Sequence, residues 1–136
     1  MHKYDAVIIG AGPVGLFQVF QLGLLGLRAA VIDSLPYVGG QCRELYADKP
    51  IYDIPGIVNI SGQGLIDNLL QQIAPFKPDF YLAEQALNWH KEEGHFVVET
   101  HTGRKIAADA MVVAAGVGMF RYVPLKLSGI EACEGQ

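Results

Sequence analysis

One stretch, Tyr4 to Asp33, constrains this chain more than any other. It opens with Ala6-Val7-Ile8-Ile9, a short run that is β-branched and apolar on both faces, as in a strand buried inside a parallel sheet. Gly10-Ala11-Gly12-Pro13-Val14-Gly15 follows and fits G-x-G-x-x-G. A helical pattern comes next, with Val14, Phe17, Leu22, Leu25 and Leu27 among its apolar residues. A second apolar strand, Ala29-Ala30-Val31-Ile32, then ends at Asp33.

Each piece has a physical role. Gly10 permits a tight turn out of the first strand. Gly12 lacks a side chain, so a pyrophosphate can approach the backbone, and Gly15 lets the helix pack close to the strand. Pro13 falls in the first helical turn, where a missing N–H costs nothing. The free N–H groups and the positive end of the helix dipole then face the phosphates. Asp33 stands about 20 residues beyond the glycines, at a strand tip, where a carboxylate accepts hydrogen bonds from ribose hydroxyls. A lone G-x-G-x-x-G is weak. Set between strand and helix, with a second strand and its acid in register, it points to dinucleotide binding.

The 136 residues suffice for one domain with a real core. Apolar residues make up 51% of the chain, high for a small soluble domain. A sheet covered on both faces explains this, since its strands are apolar on both sides. A net charge of −4 gives no reason to expect nucleic acid or an acidic membrane surface. No charge occurs from Ala6 to Leu27, a run long enough to span a bilayer. Asp5, Gln18, Gln21 and the Gly/Pro cluster argue against a span or a signal peptide.

Ser34 to Gly64 shows little periodicity yet carries Tyr37, Tyr46, Ile51, Tyr52, Ile54 and Ile57, too apolar for disorder. Gly39-Gly40-Gln41 can bring backbone close to a ligand. The Gln41 amide both donates and accepts, which suits a polar heterocycle, and Tyr46 offers a ring face and a hydroxyl. Asp53-Ile54-Pro55-Gly56 reads as a turn. Gly64 to Phe76 is an amphipathic cover helix, with Ser61 as its cap and Pro75 and Pro78 as stops. Phe80 to Ala83 is a third short strand. Ala86–Lys91, His95–His101 and Arg104–Ala108 alternate between turns and read as an antiparallel meander. Met111-Val112-Val113-Ala114-Ala115 returns to the fully apolar type. It ends at Gly116, so Ala115 and Gly116 bring backbone to the ligand edge of a parallel sheet.

His95 and His101 share a strand face but are about 20 Å apart along it. His90 and His95 flank a turn, but two ligands make a poor metal site, so no metal is expected. Two cysteines, Cys42 and Cys133, form no C-x-x-C, which favours a reducing compartment. Cys42 adjoins Gln41 and so falls near the expected ligand.

The order of these features resembles the FAD domain of the two-dinucleotide-binding flavoprotein reductases. In wording, Ile8 to Phe17, Ile32 to Pro36, Gly39-Gly40-Gln41, Leu45-Tyr46 and Ile51 to Gly56 are similar to the thioredoxin-reductase-like ferredoxin–NADP reductases. The resemblance implies an α/β fold, a three-layer Rossmann-like FAD domain with a parallel sheet and an antiparallel β-meander. It implies FAD, with Asp33 on the ribose, Gln41 and Tyr46 along the flavin, Ala86 holding the adenine through its backbone, and Phe120 packed near the flavin. The family's intact proteins pass a hydride from NADPH to FAD and single electrons to ferredoxin or flavodoxin, as cytoplasmic homodimers. No side-chain nucleophile is expected, because the flavin carries the chemistry.

The family continues into an NADPH domain, whereas this sequence stops at Gln136, on a stretch that looks like the crossing into it. The expectation is therefore an FAD-binding portion over 1–120 and the start of the crossing over 121–136, inactive alone, with the Met111 strand left as a sheet edge. Two other readings stay open: the FAD half of a thioredoxin reductase, and a non-enzymatic dinucleotide-binding module.

Overall fold

A computed structural model describes residues 3–118. Phe120 and the expected crossing at 121–136 lie outside the described residues. The chain opens with β1 (Lys3–Ile9), α1 (Pro13–Leu24) and β2 (Ala29–Ile32), as the fingerprint requires. Next come a short helix α2 (Gly40–Glu44), the two-residue strands β3 (Pro50–Ile51) and β4 (Ile60–Ser61), and α3 (Gly62–Ile73). A 3-10 turn (Ala74–Phe76) leads into β5 (Asp79–Tyr81), β6 (Ala86–Glu92), β7 (His95–Thr100) and β8 (Lys105–Val113).

Six strands form one sheet in the order β5-β2-β1-β8-β7-β6. β5, β2, β1 and β8 run parallel, while β7 and β6 join β8 antiparallel. Strand alternation decides which side each residue serves. Ile8 and Val31 face the helices and pack with Leu16 and Val19 of α1 and Leu65, Ile66, Leu69 and Ile73 of α3. Val7, Ala30 and Ile32 face the other way and pack with Val98, Ile106 and Ala108 of the meander. The meander thus leaves the sheet through β8 and curls over the second face. This makes the three layers, and it is why the parallel strands are apolar on both sides.

α3 forms despite Gly62 and Gly64, which cost about 1 kcal/mol each in a helix. Its four buried aliphatic side chains each contribute roughly 1.5–3 kcal/mol, so packing outweighs propensity. Ser61 caps it, accepting a hydrogen bond from Gly64 N–H at 3.0 Å. The turn expected near Gly56 closes between Ile54 and Ile57 (3.1 Å), with Gly56 at φ 78°. The uncharged run Ala6–Leu27 divides between a strand and a 12-residue helix. Among the described residues no helix is long and apolar enough to cross a membrane.

Two expectations need correction. Arg104–Ala108 and Met111–Ala115 are not separate strands. They fuse into β8, which carries Asp109 on its exposed side, paired with Lys3 (3.0 Å) and His95 (2.6 Å). Pairing with β1 along nearly its whole length holds β8 continuous. Only Lys105–Ala108 also pairs with β7, so Asp109–Val113 has a free side among the described residues. The second correction concerns Ala83, which is not strand: it adopts φ 54° and turns the chain sharply after β5.

Candidate functional site

A cleft of about 550 Å³ opens at the carboxyl ends of β1, β2 and β8. This is where ligands bind in open parallel sheets. Its floor is the glycine loop. Gly10 has φ 108° and lies so near β8 that a Cβ there would sit 2.3 Å from the Ala114 carbonyl oxygen. Its N–H donates to the Ile32 oxygen at 2.8 Å, fixing the turn between the strands. Gly12 is the N-cap of α1 and has no side chain to satisfy the N–H groups of the first turn, and Pro13 occupies the first helical position. Those N–H groups leave the helix start free to bind an anion. Gly15 touches the turn itself: a Cβ there would fall 1.9 Å from the Gly10 oxygen.

Asp33 lies on the wall beyond β2. One carboxylate oxygen accepts from Ala11 N–H at 2.6 Å and the other from Leu35 N–H at 2.9 Å. The carboxylate is thereby locked to the glycine loop. An ionised carboxylate has about four acceptor positions, so capacity remains toward the cleft.

The opposite wall is α2. Gly39 (φ 130°) donates to the Ala11 oxygen at 2.9 Å, and Gly40 (φ 53°) brings its backbone against Gly12. Gln41 follows and extends its amide toward Gly116, which leads out of β8. Tyr46 lines the same end, half exposed, with the Lys49 ammonium 5.2 Å from its ring centre. Gly62 seats this wall, since a Cβ there would meet the Cys42 and Tyr46 carbonyl oxygens at 2.4 Å. Ala86, Ala115 and Gly116 also line the cleft. Gly10, Gly12, Pro13, Asp33, Gly40, Gln41, Tyr46, Ala86, Ala115 and Gly116 therefore converge on one space. Gly15 supports it from below, and Phe120 lies outside the described residues. The Cys42 thiol is also on the wall, its pKa raised by burial, so it is a poor nucleophile.

The sequence reading missed Glu84, which lines the Asp33 end and is the one buried acid among the described residues. Thr102 donates its hydroxyl to this carboxylate (2.7 Å), and Arg104 Nε lies 3.2 Å away. Hydrogen bonds from Thr100 first, then Thr102 and Arg104, hold its pKa below the usual carboxylate range against the effect of burial. It stands three residues beyond β5, past the turn at Ala83, and no local sequence signal marked it.

No protein-family model matches the chain. It is 55% identical over 136 residues to ferredoxin–NADP reductase 2 of Cupriavidus necator, covering 99% of this chain and 37% of that protein. It is 56% identical over 131 residues to a ferredoxin–NADP reductase of Colwellia psychrerythraea, covering 96% and 38%. The chain thus spans less than two-fifths of the curated relatives it matches. Among solved structures, a thioredoxin reductase from T. acidophilum superposes with a TM-score of 0.77 at 20% identity, over 96% of this chain and 40% of that one. One from Streptococcus pyogenes gives 0.74 at 23%, over 95% and 39%. In sequence the chain is a homologue of part of the proteins named ferredoxin–NADP reductase, and in fold it is a thioredoxin-reductase-like, Rossmann-type α/β domain.

Proposed function

We propose that the cleft holds FAD and that this chain is the flavin-carrying part of a reductase that takes electrons from NADPH and delivers them to ferredoxin or flavodoxin. The observation that carries this reading is one cleft bounded by the Gly12 loop, Asp33 and Gln41, in a chain 55% identical to a ferredoxin–NADP reductase. The residues present fit the group. The cleft surface over Gly12 is bare backbone at a helix start, suited to a pyrophosphate. Asp33 suits a ribose. The Gln41 amide beside Gly116 suits the polar edge of a flavin. FAD when bound supplies the redox chemistry, joining two-electron donors to one-electron acceptors. The chain's own residues bind and orient it, and none acts as a nucleophile.

The test is to denature the purified protein and identify the released chromophore by mass and absorbance. FAD is expected; NAD, or no nucleotide after incubation with FAD, overturns the reading. The sequence carries a single glycine fingerprint, which FAD would occupy. Dithionite should therefore bleach the flavin of the 136-residue protein, whereas NADPH should not. Bleaching by NADPH would mean that this chain also binds the nicotinamide.

Asp33→Ala is expected to weaken FAD binding between about ten- and 100-fold, the worth of a charge-assisted hydrogen bond. Flavin titration measures it, and unchanged affinity removes Asp33 from the ribose.

Within this reading the protein is a cytoplasmic homodimer. Among the described residues the free side of β8 at Asp109–Val113 supports self-association, as do exposed Phe17 and Leu24 of α1 and Leu25 just after it. Light scattering should give a mass above that of one chain; a monomer at high concentration would count against it.

A further inference from the structure

We infer that Glu84 is a positioning residue, a buried clip that fixes the cleft wall against which the adenosine half of the cofactor lies. The inference rests on the FAD reading. The wall segment Leu82–Gln85 has no regular structure of its own to hold it. It is held by ties on both sides. On one side Ala83 N–H donates to the Leu35 oxygen at 2.8 Å and Glu84 N–H to the Asp33 oxygen at 2.9 Å. On the other, His101 N–H donates to the Gln85 oxygen at 2.9 Å, and Gln85 N–H donates to His101 Nδ1 at 3.1 Å.

Ala83 sits at φ 54°, a conformation that an alanine adopts only where its surroundings impose it. The Glu84 carboxylate is the anchor that imposes it. It passes beneath the wall to the β7–β8 turn, where Thr102 Oγ1 lies 3.0 and 2.7 Å from its two oxygens and Arg104 Nε lies 3.2 Å away. A buried carboxylate paired in this way need add little net stability, so its proposed contribution here is to geometry. That geometry reaches the cofactor by two routes. The Glu84 N–H holds the Asp33 carbonyl, and the Asp33 side chain in turn holds Ala11 N–H of the glycine loop. The same clip sets where the backbone of Gln85 and Ala86 meets the cleft.

The test uses Glu84→Gln, which keeps the shape and the Thr102 contact but removes the charge facing Arg104. FAD and ADP are titrated separately against the parent and the variant. Both affinities should fall by the same factor, roughly tenfold, as for a pair that couples within one network. The visible spectrum of the bound flavin should not change, because the isoalloxazine end is untouched. An unchanged FAD affinity overturns the inference. So does a loss for FAD without one for ADP, or a changed flavin spectrum. If Glu84→Gln fails to fold, Thr102→Val, which leaves the Arg104 pair in place, is held to the same outcomes. A parent that binds ADP but not FAD would overturn the FAD reading while leaving the role of Glu84 measurable.

Discussion

Gly12→Ala is expected to lower FAD affinity by at least about 100-fold while shifting the melting temperature of the cofactor-free protein by only a few degrees. The protein has room for the methyl group. Gly12 has φ −75°, which alanine adopts freely, and the nearest heavy atom to an added Cβ is Gly40 Cα at 4.0 Å. The cost to the fold is that of a poorer N-cap, about 1 kcal/mol or less. The ligand has no such room. On the FAD reading, a methyl group on Gly12 would occupy the surface through which the pyrophosphate approaches the first turn of α1. Charge-assisted hydrogen bonds from backbone N–H groups to a phosphate are worth about 1.5–3 kcal/mol each, and losing two exceeds a factor of 100. Calorimetric melting and flavin titration of one preparation separate the two effects. An alanine variant that retains full affinity would mean that the phosphates do not cross the protein at Gly12.

The strands and helices most legible in the sequence are those whose pattern is set by burial on fixed faces. β1 and β2 are apolar on both sides because helices cover one face and the meander the other. α3 carries Leu65, Ile66, Leu69 and Ile73 at helical spacing because one stripe meets the sheet. Where the sequence was misleading, a distant partner decided the outcome. Asp109 interrupts the apolar pattern of β8 and reads as a break, since aspartate is poor in strands. Its side chain lies outward against Lys3 and His95, and β1 holds the backbone straight through it. α2 is five residues long and too short to show a period; glycines at φ 130° and 53° open it.

The site divides in the same way. Gly10, Gly12, Gly15 and Asp33 were legible because their chemistry is tied to one spacing along one βαβ unit. The partner of Asp33 was not, because Ala11 N–H reaches it only after the chain has crossed from β1 to β2. Glu84 was illegible for the same reason, since Thr102 and Arg104 arrive from the β7–β8 turn.

The largest effect on the fold itself is expected from Gly15→Ala, and its sign runs against helix propensity. Inside α1, alanine should gain about 1 kcal/mol over glycine. Yet a Cβ at position 15 would stand 1.9 Å from the Gly10 oxygen, 3.1 Å from its carbonyl carbon and 3.4 Å from Ile8 Cγ2. The carbonyl cannot retreat. Gly10 N–H is bonded to Ile32, and the far side of Gly10 is closed by Ala114. The helix must therefore move outward, taking with it Leu16 and Val19, which are buried against the sheet and α3. Overpacking of this kind costs about 1–3 kcal/mol, and the upper end applies where the obstacle is backbone rather than a side chain that can rotate. After the propensity gain, a net loss of about 2 kcal/mol remains. Because the N-terminal turn of α1 moves with the helix, FAD should be lost as well. Denaturant unfolding of the cofactor-free protein checks the sign: a midpoint equal to or above that of the parent would mean that α1 packs further from β1 than these distances give.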